Sequence, residues 1–163
     1  MIKSRFHGAA LQPESIMNIL DILSPLRRRQ GIVRTQGLDD ATVTRLADQF
    51  PDLLTAAQRA AESLPALLAE FADLIDADEQ AQIDASQAGF INFYPDDAIN
   101  PYVAIAACGP WIITSKGRVL HDSGGYGMLG FGHTPESVIA AMAKPQVMAN
   151  IMSPNFSQLR VSK

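Results

Sequence analysis

Residues 111–122, WIITSKGRVLHD, decide the fold. Two β-rich runs, Trp111–Thr114 and Arg118–Asp122, flank Ser115-Lys116-Gly117, a turn whose glycine supplies positive φ. The pattern predicts an antiparallel hairpin. Directly after it, SGGYGMLGFG (123–132) contains Gly125-x-Gly127-x-x-Gly130, the spelling of a dinucleotide-binding loop. That fingerprint needs its third glycine at a helix entrance, where pyrophosphate meets the free amides of the first turn. Here the next helix opens only at Thr134 as N-cap with Pro135 at its first position, four residues too late. An acidic residue about twenty positions further on is also required, and the last one in the chain is Glu136. A hairpin strand, moreover, is not the first strand of a βαβ unit. The glycines serve something other than a nucleotide.

Upstream the periodicity is helical. PESIMNILDILSPLRRRQ (13–30) spaces Ile16, Ile19, Leu20 and Leu23 on one face. Pro25 is expected to end or kink that helix, and Gly31 to stop any continuation of it. A second helix opens at Asp39 or Asp40 with Val43, Leu46, Ala47 and Phe50 in line. The apolar stripe runs on through Leu53, Leu54, Ala57, Ala61, Leu64, Leu68, Phe71 and Ile75. Pro51 and Pro65 interrupt it, which predicts three successive helices over 39–50, 51–63 and 64–76. Near Asp84 the composition shifts to prolines, aromatics (Phe90, Phe93, Tyr94) and β-type runs. The expected fold is α+β: a helical N-terminal layer over residues 1–85, then residues 86–163 with a small antiparallel hairpin, a glycine-rich loop and a helix stabilised along Val138, Ile139 and Met142.

Length and composition bound the function. With 163 residues, 47% of them hydrophobic and 18% charged, the chain suits one ordinary globular domain. No apolar run reaches the ~20 residues that cross a bilayer, and MIKSRFHGAALQPE lacks the apolar core of a secretory signal. A single cysteine, Cys108, permits no internal disulfide; it suits the cytoplasm and reads as a small apolar residue. The net charge of −4 is unevenly spread, with thirteen anionic and two cationic residues between 36 and 100. Arg27-Arg28-Arg29, the one basic cluster, has no interleaved aromatics and reads as a solvated helix end rather than a nucleic-acid footprint.

Local chemistry is sparse. His121, Asp122 and His133 lack metal-ligand spacing. No spacing brings Cys108 to His133 as a nucleophile pair, and Ser123 lacks the G-x-S-x-G setting of a nucleophile elbow. Asp122 is expected to hold loop backbone and His133 to make structural hydrogen bonds.

Taken in order, however, Gly109, Trp111, Gly117-Arg118, Asp122, the loop Gly124–Gly130 and Gly132-His133-Thr134-Pro135 resemble the N-terminal portion of class III aminotransferases, pyridoxal-phosphate enzymes of fold type I. The likeness covers about 75 residues, from near Phe90 to near Arg160, and departs from the family at Thr134, where a second histidine often stands. It implies an enzyme that moves an amino group from an amine or amino acid to a keto acid, as a homodimer with shared active sites. It places Tyr126, Gly127, Met128, Phe156 and Ser157 toward substrate. Asp122, Gly124, Gly125, Gly130, Gly132, His133 and Pro135 would shape the loop. The family's Schiff-base lysine, its acid for the pyridine nitrogen and its phosphate-cradling turn lie beyond the matched segment. None of the four lysines (Lys3, Lys116, Lys144, Lys163) has the family's lysine context. The resemblance therefore implies the first part of a longer enzyme, inactive by itself, with residues 1–85 as a subfamily extension whose stripes pack on each other or on a further domain. The rival expectation is a stand-alone module whose acidic helical layer binds a protein partner.

Overall fold

The computed structural model describes residues 18–91, 95, 98, 100–123 and 130–144. Among the described residues, five helices and one three-stranded antiparallel sheet make an α+β arrangement. Helix α1 (Ile19–Arg27) is capped by Asn18, whose side chain accepts from Leu20 N at 3.0 Å. Helix α2 (Asp40–Ala47) is capped by Asp39, which accepts from Thr42 N and from its hydroxyl. Those bonds hold the Asp39 carboxyl below its ordinary range. Helix α3 (Pro51–Asp76) starts with proline at a position whose N–H needs no partner, and α4 (Glu79–Gln87) comes next.

Of the two breaks expected over 39–76, the one before Pro51 is found and the second falls at Phe71 rather than at Pro65. Pro65 lies inside α3 and does not split it; the departure from helical dihedrals comes at Phe71. An interior proline costs about 3 kcal/mol, but Leu64 just before it is buried in the core, and the helix runs on through Pro65 to a kink at Phe71, beyond which Ile75 returns to the same core. Pro25 likewise sits within α1, which continues to Arg27. The part of the first expected helix before Asn18 lies outside the described residues.

The sheet has the order β1-β2-β3, with β1 (Ala104–Cys108), β2 (Trp111–Thr114) and β3 (Val119–His121). Cys108 faces Trp111, Ala106 faces Ile113, and a bulge falls between Ala104 and Ala106. Ile113 faces Val119 across the expected hairpin. The period of two puts Ala106, Cys108, Trp111, Ile113 and Val119 on one face. That face meets α1 and α3, forming one core with Leu23, Leu26, Val43 and Leu53. Fully buried Ala56, Ala57 and Ala60 let α3 lie close on the strands. The helical stripes find their partner in each other and in the sheet.

Candidate functional site

Two regions of the sheet bring functional side chains together: the head, where β1 turns into β2, and the tip, where β2 turns into β3.

At the head, Gly109 and His133 exchange backbone hydrogen bonds of 3.1 and 2.8 Å. The His133 ring Nε2 lies 3.1 Å from Asp122 Oδ2, and Asp122 N donates to Pro110 O at 2.7 Å. Both ends of the glycine-rich stretch are therefore fastened to the same turn. Gly132 has φ +73, and a Cβ there would stand 2.8 Å from Gly109 Cα, so this position admits only glycine. Gly130 has open space around it and no such need. His133 makes structural hydrogen bonds as expected, whereas the Asp122 carboxylate meets the His133 ring rather than a described loop amide. Thr134 is no N-cap: it takes φ +54 and donates its hydroxyl to Ala107 O at 2.9 Å. The cap is Pro135, without a side-chain bond, and α5 runs Glu136–Met142. Gly124, Gly125, Tyr126, Gly127, Met128, Phe156 and Ser157 lie outside the described residues.

Beside the head is a cavity of about 290 Å³ bordered by Asp52, Cys108, Phe131, His133 and Glu136. An adjoining groove of about 470 Å³ runs past Arg59, Glu62 and Ser63 along β1. Arg59 reaches Glu136 at 3.1 Å across it. Cys108 and His133 do share this cavity, which sequence spacing alone did not indicate. Yet burial, and then the nearby Asp52 charge, push the Cys108 thiol up, and the His133 ring is turned to Asp122. This is the reverse of an activated nucleophile. No cluster of three or more metal-ligating side chains occurs among the described residues.

Pyridoxal phosphate does not fit here. Three carboxylates, Asp52, Glu62 and Glu136, line the cavity and groove against the single guanidinium of Arg59, itself bonded to Glu136, so the lining carries net negative charge where a phosphate would have to bind. Of the two described lysines, Lys144 is exposed past α5, and Lys116 is already engaged.

Lys116 is the centre of the tip. A lysine in a hairpin turn reads as solvated, but Ser115 and Lys116 are 0% and 2% exposed. The turn is driven into the helical layer. Ser115 Oγ donates to Gln82 Oε1. Lys116 Nζ donates to Ile75 O at 2.9 Å, to Ala77 O at 2.7 Å and to Gln30 O. Gly117 O accepts from Arg27 Nε at 3.1 Å. Gln82 Nε2 in turn donates to Leu74 O and Ile75 O at 2.9 and 3.0 Å. Leu74 O also accepts from the C-cap Ala77 N at 3.1 Å, and Gln82 and Lys116 together satisfy the Ile75 carbonyl that the last turn of α3 leaves over. Burial pushes the Lys116 ammonium down, opposed by Asp76, Glu79 and Asp78.

The neighbouring acids hold the strand-like segment after α1. Asp76 grips the Arg29 guanidinium with both oxygens, which lowers its carboxyl. Asp78 accepts from Ile32 N at 2.8 Å. Buried Glu79 accepts from Arg34 N and Thr35 N at 2.7 Å each. The basic cluster is correspondingly not a solvated helix end: Arg27 bonds Asp40 and Gly117, Arg29 bonds Asp76, and of the three only Arg28 is exposed.

Compared with protein-family models, curated proteins and solved structures, the chain matches none. No described helix is long and apolar enough to cross a membrane.

Proposed function

We propose that the chain carries the N-terminal part of a class III, fold type I aminotransferase, a cytoplasmic homodimer that transfers an amino group from an amine or amino acid to a keto acid. One observation carries the reading. Gly109, Asp122, Gly132 and His133, four of the residues on which the resemblance rests, meet in one small unit although the first and last are 24 positions apart. A chance succession of glycines has no reason to converge in this way. The α5 helix supports it as well, since it comes directly after the Gly-His-Thr-Pro segment. Pyridoxal phosphate supplies the electron sink of amino transfer when bound in the whole enzyme. On this reading Tyr126, Gly127 and Met128 of the loop after Asp122, with Phe156 and Ser157, are turned toward substrate.

The test is the reading frame beyond the codon for Lys163. An open frame encoding a phosphate-cradling turn, an acid and a later lysine is the expected result, followed by amino transfer from the full-length product. A stop codon at that position overturns the reading. The 163-residue chain incubated with pyridoxal phosphate and a reductant should show no selective, stoichiometric lysine adduct.

The second reading, a stand-alone interaction module, is favoured by a separate observation: α1, α3 and the sheet close one core among themselves. Under that reading the isolated chain is a cooperatively melting monomer that captures a different protein.

A further inference from the structure

We propose that the junction of α1, α3 and α4 is a binding site for a primary ammonium ion, and that Lys116 is its tethered ligand. Three carbonyl oxygens, those of Gln30, Ile75 and Ala77, converge on Lys116 Nζ. An –NH₃⁺ group has three donors and no acceptor, so each N–H meets one oxygen and the fourth bond of nitrogen leaves along the side chain. Ile75 and Ala77 belong to the C-terminal end of α3, where the helix dipole presents partial negative charge. Asp76, Asp78 and Glu79 surround the site with carboxylates, against the single guanidinium of Arg29. A fully buried cation is tolerated only when paired or saturated with hydrogen bonds, and here the saturating groups all come from the helical layer and its connecting segment. None comes from the hairpin that delivers the charge. The receptor therefore exists without Lys116. This inference stands apart from the aminotransferase reading.

The experiment is chemical rescue. Lys116→Ala removes three methylenes and the ammonium, the atoms of n-propylammonium. Three buried carbonyls then lose a donor, and the Tm, followed by the fluorescence of the lone Trp111, falls by about 5–10 °C. Millimolar n-propylammonium chloride raises the Tm of this variant in a saturable way while leaving the wild-type Tm unchanged. Tetramethylammonium chloride, which has no N–H, and potassium chloride at equal ionic strength do not. An unaltered Tm on substitution overturns the proposal, as does a lowered Tm that n-propylammonium fails to raise, or equal rescue by all three salts or by potassium alone. Should Lys116→Ala fail to fold, the wild-type chain decides by nuclear magnetic resonance. One of its four lysine ammonium groups is expected to show slowly exchanging N–H signals at neutral pH, with contacts to Ile75 and Ala77. Their absence overturns the proposal equally.

Discussion

The two ends of the sheet solve the same problem oppositely. The tip, Ser115–Gly117, is three residues of turn with every member buried and bonded into the helices. The head, where Gly109 and His133 pair, fastens backbone to backbone, but the helix beyond it has no buried residue, and Phe131 and Met142 are 81% and 76% exposed. Long polar side chains anchor the tip to a core that already exists. Short-range backbone bonds anchor the head, leaving an apolar surface uncovered. Polar residues can thus lie deeper than apolar ones when each donor finds its acceptor.

The contrast can be broken most sharply at its glycines. Gly117 has φ +66, and a Cβ there would sit 2.8 Å from Arg27 Cγ and 3.1 Å from Leu26 Cβ. Gly117→Ala is expected to cost about 2–4 kcal/mol, combining backbone strain with overpacking; urea unfolding measures it. Gln82→Leu comes second, at about 1–3 kcal/mol, because Ser115 and the α3 carbonyls lose their partner. At the head, His133→Ala removes the bond to Asp122 and should cost about 1 kcal/mol in the same assay. Asp76 adds a pH dependence. Its folded carboxyl is depressed by Arg29, so its contribution is complete above the unfolded value of about 3.9. The contribution is lost as pH falls through the lower folded value. Acid titration of stability should show that loss, and Asp76→Asn should flatten it. Smallest of all, Gly130→Ala and Met142→Ala are expected within about 0.5 kcal/mol of wild type. A larger loss at Met142 would mean that the head is covered after all.

These differences also mark how much the sequence made legible. The α+β order, the hairpin turn and the cap at Asp39 arise from local chemistry, which acts over a few residues. Pro65 misled because its local penalty is outweighed by the burial of Leu64 among residues of α1 and the sheet, which lie far from it in sequence, and the break comes at Phe71 instead. Thr134 misled because its hydroxyl found a carbonyl 27 residues away rather than the amides of its own helix. Lys116 gave no signal at all: Ser-Lys-Gly is an ordinary exposed turn until Gln30 and the end of α3 supply oxygens to Lys116, α4 supplies one to Ser115, and Arg27 of α1 donates to Gly117 O. At the candidate site, sequence identified Asp122, Gly132 and His133 but not Asp52, Arg59 or Glu136, which reach it from α3 and α5.

The tip also sets an order of events. Its bonds join residues 33 to 90 positions apart, and contacts of such separation form late because a long loop must close first. On a ribosome adding about 5–20 residues per second, α1 emerges about 5–20 s before Gly117 is made. From the synthesis of Ala77 until that of Lys116, the carbonyls of Gln30 and Ala77 lack the ammonium that they will bind. The last small turn of the hairpin is what releases the nascent chain from waiting.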